Sequence, residues 1–169
     1  MSQRYSEIRK ELKGFAMKQE IFFVATASRG GRVNISPKGM DTLRILGSNR
    51  VIWLNLTGSG NETSAHVQEN GIMTLMFCAF EGKPMILRFY GKAQVIHPKD
   101  AEWPGLIKLF PKIAGSRQIF DLSIDLVQRS CGMGVPFFDF VADRRDLKRV
   151  AEKKGEEGIR KYWKKNNAF

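Results

Sequence analysis

The chain has 169 residues, about one domain, with 43% hydrophobic and 27% charged residues. That balance excludes a disordered chain, a collagen and a coiled coil, and no run reaches the ~18 uncharged apolar residues of a membrane span. The formal net charge is +11, of which ten basic and four acidic residues place +6 between Arg144 and Lys165.

In chain order, Ile8, Leu12 and Phe15 recur at helical spacing and predict an amphipathic helix over 7–20, with Ser6 able to cap its start. The period then changes to two. Residues 21–27 read as a buried strand, Ser28-Arg29-Gly30-Gly31 as a turn, and 32–36 as a second strand with Val33 and Ile35 facing one way. A third strand covers 51–56. Residues 61–70 form a short helix stopped at Gly71, where a left-handed residue fits. Strands follow over 72–78 and 85–96. In the longer one, Leu87, Phe89, Gly91, Ala93 and Val95 face inward, while Arg88 and Tyr90 face water or a ligand. Gly91 in mid-strand signals a bulge or a close backbone approach. Asp100 can cap a helix running to Phe110. Phe120, Leu122, Ile124 and Leu126 then alternate with polar residues as a last strand, and residues 143–163 form a charged helix. Six short strands joined by tight turns favour an antiparallel barrel with peripheral helices over a doubly wound sheet.

The chemistry available to side chains is sparse. His66 and His97 are the only histidines, and no His/Cys cluster has metal-ligand spacing. Cys131 is read as a buried, inert thiol rather than a nucleophile. The first residues form no apolar leader, and two cysteines make no disulfide framework, so a reducing cytoplasm is expected. The basic C-terminal run reads as a solvated helix face. It lacks the interleaved aromatics of a nucleic-acid platform, so neither nucleic acid nor membrane is expected as a partner.

Two segments suit an anion. Ser36-Pro37-Lys38-Gly39 offers a hydroxyl, an ammonium and a glycine, and Lys38 reads as an exposed turn lysine. The segment from Thr57 to Ser64 opens the short helix, whose unpaired N–H groups face a bound anion. Ser59, Asn61 and Thr63 add neutral donors.

These segments, with Thr26-Ala27, Asn34-Ile35, Glu69-Asn70-Gly71 and Leu87-Arg88-Phe89-Tyr90-Gly91, follow in an order that resembles the pyridoxamine 5′-phosphate oxidase-like FMN-binding split barrels. The likeness covers roughly residues 7–131. It implies a mainly β fold with peripheral helices, namely a six-stranded antiparallel split barrel followed by a C-terminal helix. The chain is then one domain, with an N-terminal helix (1–20), a barrel core (21–131) and a C-terminal loop and charged helix (132–169). The resemblance also implies a homodimer with FMN at its interface and a small-molecule substrate. Its cofactor-binding residues would be Ser36, Lys38, Gly39, Ser59, Asn61, Thr63 and Arg88, with Lys38 the main phosphate contact and Arg88 a second cation. Deazaflavin and haem are alternative cofactors. The authentic oxidases carry an Arg-Lys pair where this chain has Gly60 and Asn61, and a C-terminal substrate-binding segment that is missing here. The implied function is therefore an FMN-dependent oxidoreductase of another substrate, or a non-catalytic flavin- or small-ligand-binding barrel.

Overall fold

The computed structural model describes residues 2–166. The elements are β1 (Gln3–Tyr5), α1 (Lys10–Ala16), β2 (Phe22–Ala27), β3 (Val33–Lys38), β4 (Leu43–Ile45), β5 (Arg50–Leu56), α2 (Glu62–Asn70), β6 (Ile72–Cys78), β7 (Ile86–Ile96), α3 (Trp103–Leu106), β8 (Ser116–Ser130) and α4 (Asp146–Asn166). The strands form one antiparallel sheet in the order β3-β2-β6-β7-β8-β5-β4, and β1 pairs with β8 beside this path. The sheet curls into a half-barrel. Its end strands β3 and β4 do not pair with each other, which leaves the barrel split.

All six expected strands are present, and two three-residue strands, β1 and β4, join them. Both are too short to show a period in sequence. The helix expected over 7–20 is confined to 10–16, and Ser6 does not cap it. The Ser6 carbonyl instead accepts from Asn49 Nδ2 at 2.6 Å, and Ile8 N–H donates to the Ser48 carbonyl at 2.7 Å, so residues 6–9 stay out of the helix, with Arg9 extended. The helix expected from Asp100 to Phe110 shrinks to α3 and a 3-10 turn at Ile107–Leu109. Pro104 is tolerated only in a first turn, and Pro111 holds Phe110 extended.

The inner face of the sheet holds the main core. Phe22, Val24, Leu75, Phe77, Phe89, Trp53 and Phe120 are buried there, and the Trp53 and Phe120 rings stack at 4.6 Å. A smaller cluster of Ile52, Leu54, Ile96 and Ile119 lies on the outer face under Phe110 and α3. Gly91 is the expected place of close backbone approach, and the bulge opposite it has its extra residue, Asp125, in β8. Tyr90 pairs with Leu126 but Gly91 pairs with Ile124, and a Cβ at Gly91 would collide with the Ser123 carbonyl. The extra residue reverses the phase of β8. Val127, not Leu126, is the fully buried position beyond the bulge.

The last helix covers 146–166 rather than 143–163 and is broken at Gly155, whose φ of 63° and ψ of 175° are not helical. Its charged face is solvated as expected, but Ala151 and Ile159 are buried against the barrel.

Candidate functional site

The position of the site follows from the strand register. Lys38 pairs with Phe22, Ser36 with Val24 and Asn34 with Thr26. Directly paired residues share a sheet face, so Asn34, Ser36 and Lys38 point inward with the core, while Val33 and Ile35 point out and are 64% and 62% exposed. The β3 edge of the half-barrel is thus lined with polar groups. This corrects the reading of Lys38 as an exposed turn residue. It ends a strand, is half-buried, and its ammonium lies 5.2 Å from the Trp53 ring across the split. Burial lowers its pKa, opposed in part by the Glu62 carboxylate.

The second segment meets this edge. Asn34 Nδ2 donates to Thr63 Oγ1 at 3.0 Å, tying β3 to the first turn of α2. Asn61 does not use its side chain to cap α2. Its Oδ1 accepts from Gln118 Nε2 of β8 at 3.0 Å, so the first turn of α2 has no side-chain cap. Ser36 Oγ is buried with no hydrogen-bond partner among the described residues. Buried polar atoms are nearly always satisfied, so an orphan hydroxyl beside a half-buried ammonium marks a place for an acceptor. Glu62, exposed at the start of α2, folds its carboxylate over Gly60, where a Cβ would collide with it. That carboxylate and the Lys38 ammonium sense each other.

Outside this junction lies a cleft of ≈ 380 Å³, lined by Ser28, Ser59, Asn61, Glu62, His66 and Glu69, with Asn166 from α4. The His66 Nδ1 and Thr26 Oγ1 are hydrogen-bonded at 3.1 Å. Among the described residues no three His, Cys, Asp or Glu side chains come together as metal ligands.

Of the seven site residues read from sequence, Ser36, Lys38, Asn61 and Thr63 meet at the polar end of the half-barrel, and Ser59 lines the adjoining cleft. Two lie elsewhere. Gly39 backs onto the Glu20 carbonyl, 3.0 Å from where its Cβ would stand, and borders a separate cleft of ≈ 160 Å³ beside α1. Arg88 stands on the outer face of the sheet, because it pairs with Met76 and Gln128 rather than with the inward series. There it donates to Ser130 Oγ at 3.4 Å, near the Tyr90–Gln128 hydrogen bond of 3.1 Å. The backbone just beyond Lys38 is unusual: Met40 and Asp41 both have positive φ, 61° and 55°. The turn is held by Thr42 Oγ1 donating to the Gly39 carbonyl at 2.7 Å and by the Arg44–Asp41 ion pair at 2.6 Å. Paired non-glycine residues in this region are uncommon and persist where the surroundings over-determine them.

Sequence reasoning missed Asn34, Glu62, Gln118 and Trp53 as neighbours of the site. The polar alternation Asn34-Ser36-Lys38 was a usable signal, whereas nothing local in the sequence placed Trp53 or Gln118 across the split. Cys131, read as buried, is exposed, and backbone N–H groups led by that of Met133 hold its thiol below the ordinary value. It lies beyond the end of β8, where the chain leaves the sheet. No helix among the described residues is long and apolar enough to cross a membrane.

A curled antiparallel half-barrel with a polar split edge and a C-terminal helix defines the class: a split barrel. Residues 8–131 match the family model described as pyridoxamine 5′-phosphate oxidase. A relative in Aspergillus flavus, the pyridoxamine 5′-phosphate oxidase family protein ustO, is 38% identical over 144 residues. That match covers 82% of this chain and 58% of the relative. Solved structures share the fold at low identity. HupZ of group A Streptococcus aligns at a TM-score of 0.60 and 18% identity, over 73% of this chain and 99% of that one. HutZ, the haem storage protein of Vibrio cholerae, aligns at 0.52 and 15%, over 75% and 97%. A pyridoxamine 5′-phosphate oxidase-related, FMN-binding protein of Nostoc punctiforme aligns at 0.51 and 12%, over 65% and 73%. The chain belongs to the pyridoxamine 5′-phosphate oxidase family.

Proposed function

We propose that the chain binds FMN at the polar end of the half-barrel and works, as a homodimer, as a flavin-dependent oxidoreductase on a small molecule. The observation that carries the reading is the junction of β3 with α2, where the orphan Ser36 hydroxyl and the half-buried Lys38 ammonium stand beside the Asn34–Thr63 hydrogen bond. These groups fit a phosphate: one cation, hydroxyl donors and the uncapped first turn of a helix. Glu62 opposes it. Its carboxylate must swing away from Gly60 for a phosphate to sit at α2, and its exposure allows that at little cost. When bound, FMN supplies hydride or electron transfer at its ring. The chain's own part is to hold and orient it. Lys38 and Ser36 anchor the charged end, Thr63 and Asn61 are kept in place by Asn34 and Gln118, and the cleft beside α2 receives the remainder. His66, engaged at Nδ1 by Thr26, has its other ring nitrogen for a ligand in that cleft.

The homodimer reading is supported by apolar groups left uncovered on the outer face, Val33 and Ile35 on β3, and by the segment after β8, where Phe137 is 79% and Val141 92% exposed. Arg88 and Tyr90 on that same outer face would then meet the partner.

Haem is the competing cofactor, because the fold also serves a haem storage protein and His66, which lines the cleft, would supply an imidazole to its iron. The absorption spectrum of the purified full chain, reconstituted with each cofactor in turn, separates the two. Stoichiometric flavin absorption with FMN as the released chromophore supports the proposal. A haem spectrum that depends on His66, or no retention of flavin, overturns it.

A further inference from the structure

Arg117 neighbours Gln118 on β8, at the point where the β5–β8 register shifts. The residue is only 7% exposed, and its guanidinium lies over the Trp163 ring of α4 at 5.6 Å. Its Nη1 has no hydrogen-bond partner, and no carboxylate pairs with it among the described residues. The acidic residues of α4 that form ion pairs are engaged with α4's own cations: Lys148 with Glu152, Arg160 with Glu156, and Lys161 with Glu157. A second cation, Lys154, stands over the adjacent Tyr162 ring at 5.2 Å. Burial works against the charged form of Arg117, with Tyr162 offsetting part of that.

Buried charges in proteins are paired or coordinated, and the aromatic face beneath buried Arg117 offsets only a fraction of its lost hydration, whereas Lys154 is exposed. Around these cations the polar groups are donors with modest commitments. Tyr162 OH donates to the Gly58 carbonyl at a long 3.4 Å, and Trp163 Nε1 donates to Thr57 Oγ1 at 3.0 Å. The part of α4 that carries both rings follows the break at Gly155, so it is attached separately from the first half, which seats Ala151 against Gly115.

We propose that Arg117 is an anion receptor, and that a small phosphate-bearing ligand binds between β8 and the terminal half of α4. Arg117 and Lys154 supply the charge, which favours a dianion over a monoanion. Tyr162 OH and the Trp163 indole N–H turn from their present acceptors to the phosphate oxygens, with the terminal half of α4 moving on Gly155. This site adjoins the cleft beside α2, since Tyr162 and Trp163 hold Gly58 and Thr57 and Asn166 lines that cleft, but it uses its own cations, Arg117 and Lys154.

The test uses the full chain, titrated with inorganic phosphate against sodium chloride at matched ionic strength, followed by melting temperature and indole emission. Phosphate is expected to raise the melting temperature where chloride does not, and to change an emission component that Trp163→Phe removes. Arg117→Met should weaken the phosphate effect on the Trp163 emission about tenfold or more, the loss of a charge-assisted contact. Arg117→Lys keeps the charge but not the fork and should fall between. It serves in place of the Met variant if that one fails to fold. Phosphate acting no better than chloride, or unchanged binding in the Arg117 variants, would overturn the proposal.

Discussion

Lys38 illustrates how a residue's type is legible in sequence while its environment is not. Its place in a Ser-Pro-Lys-Gly segment named it as a cation near an anion, but only the register with Phe22 turns it inward over Trp53. Burial lowers its pKa below 10.5. The unfolded chain therefore holds the proton across a pH range in which the folded chain has released it, and stability gains as pH rises from the folded value towards 10.5. Lys38→Met keeps the packing and removes the buried charge. It should melt above wild type at neutral pH, and the gap should close as the pH approaches 10.5. Ser36→Ala deletes a buried hydroxyl that bonds to nothing, so it should be at least as stable as wild type in chemical denaturation while binding FMN more weakly. A loss of stability would show that the hydroxyl has a structural partner. The two thiols differ in the same way. Exposed Cys131, with its thiol held low by backbone N–H groups, should be alkylated well before Cys78, whose thiol burial pushes up against the opposing effect of Arg88. Peptide mapping after limited iodoacetamide treatment reads the order.

At the scale of elements, the long periodic strands and α2 were legible because each repeats its pattern over a full face. Gly71, read as the left-handed stop of α2, has φ 72° and closes that helix with its N–H on Val67 O. The misreadings fall where a contact distant in sequence overrides local preference. Residues 6–9 are held out of the helix by Ser48 and Asn49, and Leu126 loses its inward place because Gly91, 35 positions away in the chain, admits Asp125 as the extra residue of a bulge in β8. Gly91→Ala tests that link. Its methyl would run into the Ser123 carbonyl, a backbone atom that cannot rotate aside, so the two longest strands must shift together. A loss of about 3 kcal/mol is expected in urea denaturation, the upper end for overpacking. Gly105→Ala, where an added Cβ meets nothing, should cost far less.

For the whole molecule, the sequence sufficed for the split barrel because the order of strands and turns is carried along most of the chain, as the match over residues 8–131 reflects. The site was only half legible. The two anion-friendly segments were visible separately, and their union through Asn34 and Thr63 depends on how the sheet curls. Arg88 shows the converse, since a conspicuous cation on a wet strand face belongs to the face opposite the junction. If that outer face is where two copies meet, sedimentation at micromolar concentration should give a dimer, and Ile35→Lys should shift it towards monomer without unfolding it. A monomeric wild type would remove the interface from the proposal.

The junction itself is tested most directly by titrating FMN and riboflavin into wild type and Lys38→Met. A phosphate anchored by Lys38 predicts tighter binding of FMN than of riboflavin in wild type. The substitution should lower FMN affinity about tenfold to hundredfold, for a charged hydrogen bond of roughly 1.5–3 kcal/mol, and should leave riboflavin nearly untouched. Equal losses for both ligands, or no loss for either, would contradict a flavin phosphate at the β3–α2 junction.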